Sequence, residues 1–264
     1  MFYPRIDADK CVGCSACVKV CPSSQLCLRE GKAAVCAAVP RPCHGCGHCS
    51  AVCPQDAVGI WQDDHELEKP SVECGNWRIP ADRLAVFLQM RRSVRFFSPR
   101  PVDKSLLLKL FDKVRWAPTA CNRQDVGWLV LTEPDLRKRL GEAIAEWALT
   151  SENYRSIGEE YRRGHDTALR NAPCVILAHG PAEVPTSVQD CAVALEDMEL
   201  LLASAGLGSC WSGLVAHMAA ERPDLTTFLG IDEKRQIFGG LMVGWPDVTF
   251  RRVPPRKAPA VVWK

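Results

Sequence analysis

Eight of the chain's fifteen cysteines fall into two runs that share one spacing, and no other feature of the sequence restricts the fold so tightly. Cys11, Cys14, Cys17 and Cys21 are followed by Pro22; Cys43, Cys46, Cys49 and Cys53 are followed by Pro54. Both runs read C-x2-C-x2-C-x3-C-P, and every position of the second lies 32 residues after its counterpart, so the segment is an internal duplication. Ten cysteines lie within the first 53 residues. In a secreted mini-protein such density signals disulfides. The N-terminus MFYPRIDADKC lacks the apolar core of a signal peptide, so a cytoplasmic location is expected and the cysteines read as metal ligands.

The spacing selects the metal group. Three thiolates close together in a tight loop cap one face of an iron–sulfur cubane, and the fourth, carried away by a turn, ligates the other cluster. Cluster I is expected on Cys11, Cys14, Cys17 and Cys53, and cluster II on Cys43, Cys46, Cys49 and Cys21. Each proline is expected in a first helical turn, where its missing N–H is harmless. Gly13, Gly45 and Gly47 let the backbone approach the sulfides. Structural zinc is the competing assignment, but zinc sites are built from separated C-x2-C pairs. His44 and His48 lie inside the second run, where four thiols already complete the site. Cys27 and Cys36, between the runs, read as spare thiols. Together these features resemble bacterial two-cluster ferredoxins, over about residues 5–62.

The rest of the chain is ordinary in bulk. With 47% hydrophobic and 24% charged residues and a net charge of +2, it has the composition of a folded protein, with no global field to attract nucleic acid or an anionic membrane. No apolar run reaches the length that spans a bilayer. The reading divides the chain into a cluster module at 1–62, a linker at 63–80 rich in acidic residues, proline and glycine, and a domain at 81–264. Cys74, in the linker, receives no role.

In the third segment, apolar residues at helical spacing (Leu84, Phe87, Leu88, Val94) predict a helix from Asp82, with that residue as N-cap. Leu106, Leu107, Leu110, Phe111 and Val114 predict another from Asp103. Further helices are expected over 134–148, 152–171 and 187–206, and strands over 126–132, 174–179 and 236–244. Helices outnumber strands and come in blocks, so the class is α+β.

Four stretches here carry candidate chemistry. In Arg91-Arg92-Ser93-Val94-Arg95, guanidinium groups four residues apart suit a phosphate, though a cationic helix end satisfying the macrodipole is the plainer reading. Ala117-Pro118-Thr119-Ala120-Cys121-Asn122-Arg123-Gln124 is a loop of small and amide residues able to hydrogen-bond a heterocycle. Ala205-Gly206-Leu207-Gly208-Ser209-Cys210-Trp211-Ser212-Gly213 is expected to end a helix and then expose backbone N–H groups, with Trp211 either stacking on a ligand or packing. Arg251-Arg252-Val253-Pro254-Pro255-Arg256-Lys257 is a basic tail. Of the scattered thiols, Cys121 reads as a small buried side chain, and Cys174 and Cys191 as core fillers.

In this order and spacing the four stretches resemble the FMN-dependent nitroreductase superfamily, from about residue 82 to 264. The fold expected is therefore a nitroreductase-like FMN domain preceded by a small ferredoxin-like domain with two [4Fe–4S] clusters. The resemblance implies a homodimer with FMN in its interface. It places Arg91 and Ser93 at the phosphate and ribityl chain and Arg95 at the pyrimidine edge, with Arg92 also binding the cofactor. Pro118, Thr119, Ala120 and Asn122 would come from the second subunit, and Gln124 would also bind the cofactor. The backbone around Ser212 and Gly213 would face N5 of the ring, Trp211 would also bind the cofactor, and Arg256 and Lys257 would close on the phosphate. Two positions depart from the family pattern: Gln124 is followed by Asp125-Val126-Gly127-Trp128 instead of Pro-Trp-x-Phe, and Ser212 stands where glutamate is usual. Both border the substrate side.

The function expected is a reductase that takes electrons through the clusters to FMN and on to an organic acceptor, a nitroaromatic, quinone or similar small molecule. The flavin carries the chemistry, and no separate catalytic acid or base is named. A ferredoxin- or flavodoxin-type donor fits the cluster module; NAD(P)H stacking on FMN is the other donor. The alternative of a different class is an electron-transfer adaptor between a ferredoxin-type donor and a partner enzyme.

Overall fold

The computed structural model describes residues 1–37, 39, 41–70, 75 and 77–264. Its contacts divide into two units: Met1–Trp77 with Ala120–Arg123, and Arg78–Thr119 with Gln124–Lys264. Cys74 lies outside the described residues.

The first unit is made of short pieces. Strand β1 (Phe2–Ile6) pairs antiparallel with β4 (Val58–Gln62), which pairs with the two-residue β5 (His65–Glu66). That last strand falls in the stretch read as linker. Between them lie helix α1 (Ala16–Val20), the hairpin β2 (Leu26–Arg29) and β3 (Lys32–Val35), and helix α2 (His48–Ala51). The duplication is visible in the backbone. Each helix is entered through a left-handed residue, Ser15 (φ 59°) and Gly47 (φ 74°), and each cysteine loop turns on a left-handed glycine, Gly13 and Gly45. A Cβ on Gly13 would lie 2.0 Å from the Gly31 carbonyl oxygen, so no other residue fits there. The helices end before the fourth cysteines rather than start at them: Cys21 caps α1 in extended conformation, and Pro22 and Pro54 sit in turns. The prolines stop the helices instead of opening new ones.

The second unit carries most of the apolar mass. Strands β6 (Gly127–Leu131), β7 (Cys174–Pro181), β9 (Arg235–Gly244) and β8 (Gly208–Trp211) form one antiparallel sheet in that order. Helices cover both faces, which is why β7 and β9 are nearly continuous apolar runs. On one face Val175, Leu177 and Ile237 pack with Leu140, Ile144 and Trp147 of α5 (Pro134–Thr150) and Val215 and Met218 of α8 (Gly213–Glu221). On the other, Ile176, Leu241 and Val243 pack with Leu107, Leu110 and Val114 of α4 (Lys104–Val114) and Leu195, Met198 and Leu202 of α7 (Ser187–Ser204). Leu140, Ile144, Ile176, Leu177, Leu195, Leu202 and Leu241 are fully buried, each contributing about 1.5–3 kcal/mol relative to exposure. Cys174 and Cys191 are likewise inaccessible.

Several boundaries differ from the sequence expectation. Helix α3 (Ala81–Met90) is capped by Pro80, with Asp82 inside its first turn, and stops before Val94. Asp103 does cap α4, its carboxylate accepting from the Ser105 N–H at 2.7 Å. The helix expected over 152–171 is α6 (Arg155–Arg162); Gly164 (φ 89°) ends it, and left-handed Arg170 and Asn171 turn the chain towards β7. Residues 208–211, expected to present free N–H groups, are strand β8, and α8 and α9 (Asp224–Phe228) follow.

Candidate functional site

Two hollows in the first unit are lined by cysteines from both runs. One has Cys11, Cys14 and Cys17 with Cys53; the other has Cys43, Cys46 and Cys49 with Cys21. Backbone N–H groups point at four of the sulfurs, two of the donors lying at duplicated positions. Gln25 donates to Cys21 at 3.3 Å and Ala57 to Cys53 at 3.2 Å; Ala33 donates to Cys11 and Gly45 to Cys43, both at 3.4 Å. Such donors favour thiolate over thiol, and those from Ala33 and Gly13 hold Cys11 below the usual thiol range. Burial acts oppositely on Cys49, pushing it up to about 11. Four soft sulfur donors around one hollow, with N–H groups aimed at them, suit an iron–sulfur cluster. Cys27 and Cys36 join neither set: the Cys27 thiol donates to the Ala34 carbonyl at 3.7 Å across the β2–β3 hairpin, and Cys36 follows the end of β3.

In the second unit the Arg91–Arg95 segment is zipped onto the sheet. Ser93 bridges Ser209 in parallel register, the Val94 N–H donates to the Ser209 carbonyl at 2.8 Å, and the Ser98 N–H to the Trp245 carbonyl at 2.9 Å. Gly208 permits this approach, since a Cβ there would lie 2.7 Å from Cβ of Val94. The segment and the end of β8 then hold a group of polar side chains. Arg91 lies 3.1 Å from the carboxylate of Glu199, which is 2% exposed on α7, and the Ser209 hydroxyl donates to the same oxygen at 3.2 Å. The Arg91 contact is off the N–H axis, an ion pair rather than an aligned hydrogen bond, so this buried guanidinium nitrogen keeps a free donor; the buried Arg92 Nε and Ser212 Oγ also have no hydrogen-bond partner. Buried donors without acceptors are costly unless something anionic or polar meets them. Beside them, the Cβ direction of Gly213, at the start of α8, is open. This donor set fits the phosphate and polar edge of a flavin mononucleotide. Arg95 and Trp211 are exposed.

The remaining candidates are placed as follows. The Gln124 N–H donates to Thr119 Oγ1 at 3.0 Å, and Pro118 is exposed beside it. Ala120–Asn122 form a 3-10 turn grouped with the first unit, where the Asn122 amide donates to the His44 carbonyl at 3.0 Å. Cys121 is exposed at φ 53°, not buried as expected, because this left-handed turn points it outward. Where the sequence departs from the family pattern, Asp125 is held by Arg235: one guanidinium nitrogen reaches its carboxylate at 2.9 Å and another its carbonyl at 2.6 Å. The Arg235 Nε donates to Nδ1 of His179 at 2.7 Å. Burial and that cation hold His179 below the usual imidazole range. Arg256 and Lys257 are exposed on the irregular stretch after β9.

Two features here escaped sequence reading: Glu199, and Arg235 with its two partners. No described helix is long and apolar enough to cross a membrane.

Comparison with known proteins agrees with both units. The nitroreductase family model matches residues 88–245, and a 4Fe-4S binding domain matches residues 3–26. A putative NADH dehydrogenase/NAD(P)H nitroreductase of Archaeoglobus fulgidus is 26% identical over 161 residues, 59% of this chain and 81% of that protein. Among solved structures, a nitroreductase with bound FMN from Bacteroides fragilis superposes with a TM-score of 0.57 at 18% identity, covering 69% of this chain and 98% of that one. Another with bound FMN, from Desulfitobacterium hafniense, gives 0.56 at 22% identity over 67% and 97%. At such identities the likeness speaks to the fold. The family match spans more than half of the chain, and with a 4Fe–4S binding domain at its head the chain belongs to the nitroreductase family of oxidoreductases.

Proposed function

We propose that the protein is an FMN-dependent reductase with two [4Fe–4S] clusters, which delivers electrons from a low-potential donor to an organic acceptor. The observation that carries this reading is the pair of four-thiol hollows within a chain of the nitroreductase family. Cys11, Cys14, Cys17 and Cys53 would hold one cluster, and Cys43, Cys46, Cys49 and Cys21 the other. When bound, the clusters would supply one-electron transfer and FMN the exchange between one- and two-electron chemistry.

The chain's own residues hold and tune. The N–H groups of Gln25, Ala57, Ala33 and Gly45 stabilise negative charge on four of the sulfurs. Arg91, Arg92 and Ser93 hold the phosphate end of the flavin, Ser212 and Gly213 its polar edge, and Arg95 favours negative charge on the ring. Pro118, Thr119, Ala120, Asn122 and Gln124, with Arg256 and Lys257, complete the site in a homodimer. Helix α3 supports the dimer: it buries none of its side chains and exposes Leu84, Val86 and Leu88, apolar surface that a second copy would cover. A ferredoxin- or flavodoxin-type protein is the donor, and a nitroaromatic or quinone the class of acceptor.

Composition analysis of anaerobically purified protein tests the reading. It should give about eight iron and eight sulfide per chain, with one FMN. Zinc in place of iron, or the absence of flavin, contradicts it.

A further inference from the structure

Helix α7 buries a carboxylate for which the proposed chemistry has no use. Glu199 lies on the helix stripe formed by Cys191, Ala194, Leu195, Met198 and Leu202, all buried and apolar. A carboxylate in such company is tolerated only with partners, and packing alone would be served as well by a leucine. Two groups reach it: the Arg91 guanidinium at 3.1 Å and the Ser209 hydroxyl at 3.2 Å. Burial pushes its pKa up, and Arg91 opposes the shift.

Along the chain these partners adjoin donors left without acceptors. Arg91 keeps hydrogen-bonding capacity beyond its ion pair, Arg92 adjoins it, and Ser212 follows Trp211 in the chain. Arg91 and Arg92 each keep a buried nitrogen without a hydrogen-bond partner against the single carboxylate of Glu199, and such donors call for an anion. We propose that Glu199 is a positioning residue that engages Arg91 from the core side and holds its guanidinium ready for a phosphate monoester, the group that distinguishes FMN from riboflavin. The inference rests on the FMN reading above. A pre-oriented arginine loses less freedom on binding than one swinging in solvent.

The test uses the full chain with its clusters, stripped of flavin and titrated separately with FMN and with riboflavin by quenching of flavin fluorescence. Glu199→Gln keeps the volume and an acceptor for Ser209 but removes the charge. The expected result is an FMN Kd raised about tenfold or more with riboflavin binding unchanged, because only the phosphate uses Arg91. Equal losses for both ligands would mean that Glu199 only supports the fold, and an unchanged or tighter FMN Kd would equally overturn the proposal. Should that variant not fold, Ser209→Ala removes one partner of the carboxylate. It should give a smaller loss confined to FMN, and a loss shared by riboflavin overturns the proposal. Failure of the unsubstituted protein to bind FMN would instead sink the FMN reading itself, and this inference with it.

Discussion

Among the described residues, the first unit packs one cluster of six buried apolar side chains, and two of them, Cys17 and Cys49, are cluster-ligand candidates; the second unit packs clusters of fifteen and fourteen on the two faces of its sheet. The helices differ in the same way. Those of the first unit have five and four residues, too short to persist alone, whereas α5 and α7 run to 17 and 18 and lay apolar stripes on the sheet. A unit of the first kind needs staples, and its thiols are the staples available. One region is thus organised around what it binds, and the other around apolar burial.

Loss of the clusters is the severest way to break this contrast. Chelating the iron, or replacing Cys17 and Cys49 together by serine, should abolish hydrogen-exchange protection across β1, β4 and the β2–β3 hairpin. Protection of β7 and β9 should persist. Equal protection in both units without iron would show that the first unit stands on its own core. Next in size, Leu195→Ala opens a cavity in the second unit and should cost about 2–5 kcal/mol in denaturant unfolding, with iron content unchanged. Gly208→Ala drives a methyl group against Val94 and should cost about 1–3 kcal/mol, and because it lifts the Arg91–Arg95 segment it should also weaken FMN binding.

The smallest effect expected is on pH dependence. His179 is depressed in the folded chain, so the native state resists a proton that the unfolded chain accepts. Stability should fall as pH drops below about 6.5, flatten once the native imidazole also protonates, and be indifferent to His179 above that range. Glu199, with its raised pKa, contributes in the opposite sense: its stability is greatest when protonated and declines as pH rises through the folded value. Melting temperatures of the unsubstituted protein and His179→Gln between pH 7.5 and 5.5 separate the two, because only the histidine component disappears in the variant.

Much of this contrast was legible in the residues. Three thiols of each foursome follow from spacing because ligand geometry in a tight loop is local, the fourth follows from the duplication, and the long apolar runs of β7 and β9 announce strands covered on both faces. What stayed hidden depends on residues far apart in the chain. The strand at 208–211 reads as a glycine-rich turn because its glycine serves close approach to Val94, a reason visible only once the two are side by side. Cys121 reads as a core thiol because nothing in its neighbours shows the left-handed turn that exposes it. Asp125 looks like a mere departure from pattern until Arg235, on β9, is found holding it. Glu199 carried a usable signal: spaced one, four and five residues from Met198, Leu195 and Ala194, it sits where an amphipathic helix places apolar side chains. A charge on that stripe implies a buried partner.

The central claim is that electrons reach the flavin through the cysteine clusters, and anaerobic stopped-flow absorbance tests it most directly. Mixed with a chemically reduced ferredoxin, the protein should show cluster bleaching first and flavin bleaching after it, and Cys43→Ser should abolish the second phase while FMN remains bound. Rapid reduction of the flavin by NAD(P)H alone, at a rate indifferent to Cys43→Ser, with reduced ferredoxin leaving the flavin oxidised, would contradict the account.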